Sequence, residues 1–271
     1  MPNAIISYPD RTLTATLSGG SWQTTAQLNN LKDPLLSHVA RSVNALAAST
    51  IVLADLGATY NIRVLCLPAH NLGKDATIRV RGYSDAGYTA MVAGADTGTV
   101  TVWPDGFTAQ DVAAYPKNWT YCFPSFKAAR YWKWEPVDTT NTAGYIEAGR
   151  AWHGEATLEP VTGIQYGDSL GYESRDVVEE SLGGVLWGEK RSARRVSSVS
   201  FPNITPTERN KALIMQKTLG KTGEVLFVAN SLDTAQDMLL QAFPATIRQA
   251  SPLTNPYYNN YEMPLELQEI I

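Results

Sequence analysis

The chain has only two cysteines, Cys66 and Cys122, among 271 residues. They leave one disulfide or a reduced pair open, but build no disulfide framework of the kind small secreted domains rely on. Histidine is almost as scarce. His38, His70 and His153 are scattered without ligand spacing, so no zinc or other metal site, and no cofactor, is expected. No apolar run approaches the ~18–20 residues of a membrane-crossing helix, and no membrane partner is expected. The first residues, MPNAIISYPDRTL, lack a basic stretch followed by an apolar one, so no secretory leader is read. A surplus of positive charge is missing too: 22 Lys and Arg face 26 Asp and Glu, a net charge of −4. That balance removes the electrostatic reason to expect nucleic acid as a partner.

What is present is globular, with 44% hydrophobic and 18% charged residues. The length suits two ordinary domains or one large β domain. Charge is unevenly spread. Residues 1–155 hold 12 basic and 12 acidic side chains, so 156–271 hold the other 10 and 14 and carry the whole −4. Six of the seven tryptophans and all three histidines lie in the first part. This shift predicts a boundary near 155–170, drawn here between 155 and 156.

The local pattern is mostly strand. From Ser49 to Asp85 three short pieces, STIVLADLG, NIRVLCLPAHNL and ATIRVRGYSD, alternate polar and apolar residues and are rich in β-branched side chains. Asp55-Leu56-Gly57 and His70-Asn71-Leu72-Gly73 supply turn residues between them. Further strands are expected at Thr12–Leu17, Thr99–Trp103, Arg195–Phe201, Glu224–Ala229 and Met263–Ile271, and one or two more between Leu239 and Gln249. Residues 37–48 read as a short helix or an irregular connection. Trp103–Phe126 reads as a long aromatic loop with a strand inside. The clearest helix start is Thr205-Pro206-Thr207-Glu208, a capping box with Pro at the first helical position; the helix should run over about 206–219 and stop at Gly220.

The order strand, Asp-Leu-Gly, strand, His-Asn-Leu, strand resembles the discoidin-like (galactose-binding) jelly roll. The resemblance continues in ARYWKWEPVDTTNTAGYIEAGRAWHG, from Ala129 to Gly154, which is similar to that fold's closing strands. It implies a mainly β fold: an N-terminal discoidin-like β-sandwich over 1–155, then a smaller β-rich domain with one α-helix over 156–271. The run FPNITPTERNKALIMQKTLGKTGEVLFVAN, Phe201–Asn230, resembles the core of distal tail proteins of phage tail tips. In that family the helix-bearing ring domain usually comes first, whereas here the jelly roll precedes it. The resemblance implies a non-enzymatic virion component of the tail tip or baseplate, folded in the host cytoplasm. Its copies would form a symmetric ring linking the tail tube to the adsorption apparatus, with other tail proteins as partners. The tail from Pro252 would cross to a neighbour.

Catalytic chemistry finds little footing. Gly167-Asp168-Ser169-Leu170-Gly171 matches serine-hydrolase signatures, but such a serine needs a His base downstream, and the last histidine is His153. Asp96-Thr97-Gly98 matches one half of an aspartic-protease pair and reads as a turn. Asp138 and Asn141 fit either an Asx turn or a calcium-binding loop. Lys190, Arg191, Arg194 and Arg195 fit a phosphate contact or a solvated, ion-paired strand edge. The aromatic loop is the one attractive binding feature. Trp103, Phe107, Tyr115 and Trp119 offer faces on which a host-surface glycan could stack; core or interface packing is the other reading.

Overall fold

The computed structural model describes residues 3–220, 222–250 and 252–271. The chain is mainly β. It opens with β1 (Ile5–Asp10), followed by β2 (Thr16–Ser18), β3 (Ala40–Arg41), β4 (Val52–Pro68), β5 (Thr77–Tyr83), β6 (Met91–Asp96) and β7 (Val100–Thr101). Helix α1 (Ala109–Ala114) leads into β8 (Asn118–Val137), β9 (Glu147–Ala148) and β10 (Trp152–Leu158). Then come β11 (Ser169–Glu173), β12 (Val177–Glu180), β13 (Leu186–Glu189), β14 (Arg194–Ile204), α2 (Pro206–Leu219) and β15 (Glu224–Val228). Helix α3 (Ala235–Gln241), β16 (Ala242–Ala250), β17 (Thr254–Tyr257) and β18 (Asn260–Glu269) close the chain.

The first part of the chain is built on two long strands. β4 and β8 pair antiparallel along most of their length, with register irregularities between Asp55 and Tyr60 and between Ile62 and Val64. Bulges bend and twist a strand pair, so the two ends of each strand serve different layers. The first part of β4 sits beside β2, and the matching part of β8 beside β5. The second part of β4 lies between β8 and β10. Between the layers Trp119 packs edge-on to Trp134 at 5.9 Å, with Leu65, Leu67, Ile78, Val80 and Trp132 buried around them. The alternation in Thr77–Tyr83 follows directly: Ile78 and Val80 face this core, while Arg79 and Arg81 reach Asp96 and Glu135.

The helix-bearing body starts before the sandwich. β1 pairs with β15 on one side and β10 on the other, so the first strand of the chain belongs with the last third of it. The sheet runs β11-β14-β18-β16-β15-β1-β10-β4-β8-β5-β6 among the described residues. The sandwich is therefore inserted after one strand of the other body. At Gly154 the close approach of β1 forbids a side chain, because a Cβ there would lie 1.9 Å from Ser7 Oγ. A second core forms beneath α2, where Ala212, Met215 and Leu219 meet Phe201, Phe227, Phe243 and Leu265.

Helix α2 matches its expectation in span and cause. Thr205 Oγ1 accepts from Glu208 N while Glu208 reaches back to the Thr205 amide, and Gly220 ends the helix at a φ of 56°. Two shorter helices accompany it, α1 within the aromatic loop and α3 just before β16, the strand expected between Leu239 and Gln249. Each opens on the same four residues, Thr-Ala-Gln-Asp, with the threonine oxygen accepting from the aspartate amide. Residues 37–48 are irregular apart from β3. Within the chain, β18 lies between β14 and β16 and so completes the sheet of the helix-bearing body. Cys66 and Cys122 are free thiols, and burial pushes both up to about 12.

Candidate functional site

The aromatic loop is packed rather than offered. Trp103 is 1% exposed, with its indole N–H donating to the Leu72 carbonyl at 3.0 Å and Phe107 stacked on it at 6.2 Å. Trp119 is 4% exposed and is held between Tyr121 and Trp134. Neither indole has a face free for a sugar, because the loop folds back through α1 onto the sandwich core. Phe107 and Tyr115 are half-buried and contact each other at 4.9 Å; the Tyr115 hydroxyl accepts from Gln236 of α3. The four residues gather as a core edge joined to the second body.

The catalytic motifs stay apart. Ser169 is an exposed position on β11. His153 is fully buried between Thr12 Oγ1 (2.9 Å) and the Trp134 indole N–H (2.9 Å), and burial pushes its pKa down to about 3. His70 is also buried and pushed down to about 3, with the Lys117 charge adding to the effect. His38 pairs with Asp33 on the surface. Asp96 is bound by Arg79 and caps Gly98 as a turn. Asp138 Oδ2 accepts from Gly73 N and Asn141 Nδ2, which ties two loops together as an Asx-type link. The basic group disperses: Arg191 pairs with Glu189, Arg194 with Glu173, and buried Arg195 with Glu269.

Three surface features remain. The first is a cleft of about 630 Å³ between the sandwich loops and the helix-bearing body. Its walls are largely apolar, including Leu36, Pro68, Ala114, Ala193, Pro244 and Ile270, with Tyr115, Lys117 and Tyr172 also lining it. Lys117 donates to the Val112 carbonyl and lies 4.9 Å from the Trp103 ring centre. Burial holds its pKa below the ordinary value.

The second is an arm. β12 and β13 form a hairpin that pairs with no other strand among the described residues. Its apolar side chains are exposed: Val178, Leu182, Val185, Leu186 and Trp187, the last 70% exposed.

The third is a tyrosine platform on the sandwich. Asp85 accepts from the amides of Gly87, Thr89 and Ala90 and from the Thr89 hydroxyl, which locks the loop after β5. That loop holds Tyr88 at a φ of 55°, a left-handed conformation rare for a bulky residue. Tyr88 meets Tyr83 and Tyr131 edge-on at 5.6 and 6.0 Å. Arg130, forked onto Asp55, lies over Tyr131 at 4.9 Å. The alternating Arg and Tyr of ARYW were visible in sequence, but the pairing of Tyr131 with Tyr83 depends on strand register.

No protein-family model matches this sequence, and no curated protein does. Among solved structures, it is similar to the family 32 carbohydrate-binding module of NanJ from Clostridium perfringens, solved in complex with galactose. The two are 15% identical, with a TM-score of 0.39, over 57% of this chain and 100% of that one. The module CBM32-1 from a family 31 glycoside hydrolase of the same organism is 15% identical, with a TM-score of 0.36, over 55% of this chain and 100% of that one. The CBM32 of AlyQ, in complex with 4,5-unsaturated mannuronic acid, is 16% identical, with a TM-score of 0.39, over 55% and 98%.

Proposed function

We propose that this protein is a non-enzymatic assembly subunit of a phage tail tip or baseplate. Its copies form a symmetric ring that links the tail tube to the adsorption apparatus, and the sandwich is displayed on the outside. The observation that carries the assembly role is the arm: large apolar side chains stand in solvent on a hairpin that its own chain leaves unpacked. Support for the tail-tip context comes from the succession β14, capped α2, Gly220, β15, with β1 placing the start of the chain in the same body. Only β1 of that body precedes the sandwich; α2 and its other strands follow it. Its partners are further copies of itself and other tail proteins, its place is the virion, and it folds in the host cytoplasm. Negative-stain class averages of the purified chain test this: closed rings are expected, and a field of single compact particles overturns the reading.

A second role for the sandwich, recognition of host-surface glycan, is favoured by the tyrosine platform rather than by Trp103 and Trp119. A rigid loop that holds a half-exposed tyrosine in a strained conformation presents a ring for stacking without ordering it on binding. A glycan array read with wild type and Tyr88→Ala tests it. Binding by wild type and loss in the variant is expected; no bound glycan on the wild-type array removes the role.

A further inference from the structure

The arm runs from Val177 to Glu189, and its register shows what each face presents. Val177 pairs with Glu189 and Glu179 with Trp187; Val178 pairs with Gly188 and Glu180 with Leu186. Directly paired residues share a face. Trp187 and Val177 therefore project from one side, Val178 and Leu186 from the other, with Leu182 in the turn. Neither side is purely polar or purely apolar: Glu179 and Glu189 share the first side and Glu180 the second, so each side sets exposed apolar surface beside a carboxylate. Two strands alone are marginal in water. A flat surface would cover one side of this arm, whereas a cleft takes both.

The chain carries such a cleft at the root of the arm. Tyr172 precedes the arm, Ser192 and Ala193 follow it, and all three line the cleft, while no residue of the arm itself does. Charge also matches. The arm strands carry Glu179, Glu180 and Glu189 and no Lys or Arg. Glu179 and Glu180 make no ion pair among the described residues. In the cleft, Arg195 is matched by Glu269, whereas Lys117 has no carboxylate partner among the described residues.

We propose that the arm of one copy seats in the cleft of a second copy of this chain, with Leu186 and Trp187 between the apolar walls and an arm glutamate against Lys117. The proposal rests on the assembly reading and specifies its interface. Arm and cleft are different surfaces, so the contact is head-to-tail; it closes into a ring when the rotation between copies allows.

The test uses the full chain in three forms: wild type, an arm variant (Leu186→Ser with Trp187→Asp), and a cleft variant (Ala114→Trp). Sedimentation velocity is read across a dilution series, with circular dichroism as the check on folding. Because Leu186 and Trp187 are exposed, their replacement should leave the fold intact. Each variant alone should weaken association at least about 30-fold, as loss of a central interface anchor does. Mixing the two variants leaves one intact arm and one intact cleft, so the mixture should stop at a one-to-one dimer. If Ala114→Trp disturbs α1, Ala193→Trp blocks the cleft from the opposite wall. An arm variant that assembles like wild type overturns this interface and leaves the assembly reading standing. A mixture that stays monomeric overturns it also. A wild type that is monomeric throughout the series overturns both.

Discussion

Arg150 joins the two bodies, and Arg150→Met measures that junction. Its guanidinium is 1% exposed; it donates to Asp10 at the end of β1 at 3.0 Å and to Glu224 at the start of β15, and lies over Trp152 at 4.7 Å. The charge of Arg150 lowers the Asp10 pKa, yet burial outweighs it and leaves that pKa raised. Removing the arginine while keeping Asp10 leaves a buried carboxylate without its counter-charge, a change that typically costs about 3–5 kcal/mol. At about 2–4 °C per kcal/mol for a chain of this size, the melting temperature at pH 7 should fall by roughly 6–20 °C. The pH dependence has a definite sign. A raised folded-state pKa means that protonation relieves the folded form, so the deficit should shrink as pH drops through the Asp10 pKa. Adding Asp10→Asn to the variant removes the charge and keeps an oxygen that accepts from Thr12 N and His153 N, so it should recover most of the loss. Calorimetric melts of wild type, single and double variants at pH 7 and in mild acid provide the readout. A single variant that melts with the wild type at pH 7, or a deficit that does not change with pH, would refute the reasoning.

Other outcomes follow from the buried residues. Trp103→Ala and Trp119→Ala should each destabilise the chain by about 3–5 kcal/mol in denaturant titrations, because both indoles fill the sandwich core; full stability in either variant would contradict that placement. His70 and His153, pushed down to about 3, refuse protons that the unfolded chain takes up near 6.5. The stability they confer is complete above pH 6.5 and lost as pH falls towards 3, and imidazole resonances that titrate near 6.5 for these two would contradict it. Cys66, fully buried and pushed up to about 12, should stay unlabelled by a thiol reagent in the folded protein and react on denaturation, whereas half-buried Cys122 is the thiol a reagent would reach first. Prompt labelling of Cys66 in the native chain would contradict its burial.

Much of the fold was legible wherever local chemistry decides the structure. Alternation marked β5 and β14, and the Thr205–Glu208 box marked α2 at both ends, since a cap and a terminal glycine act within one turn. The same logic was present at Thr108–Asp111 and Thr234–Asp237, but an aspartate in place of glutamate and a helix of six or seven residues made a weaker signal. What the residues could not announce was long-range register. Nothing in Ile5–Asp10 specifies pairing with Glu224–Val228, so the sandwich reads as coming first when it is inserted after one strand. The aromatic loop left two readings open for a related reason. Trp103 and Trp119 have the composition of a stacking surface, and only the return of β8 along β4 shows that they are enclosed. Nor does the sequence announce the arm, whose apolar side chains have no covering surface among the described residues.

The most direct test of the assembly account is a native mass spectrum of the purified wild-type chain recorded across a dilution series. The account predicts a single dominant stoichiometry above two, the mark of a closed ring, that persists until the chain dissociates to monomer. A spectrum that holds only monomer at every concentration, or a ladder of sizes with no preferred closure, would contradict it.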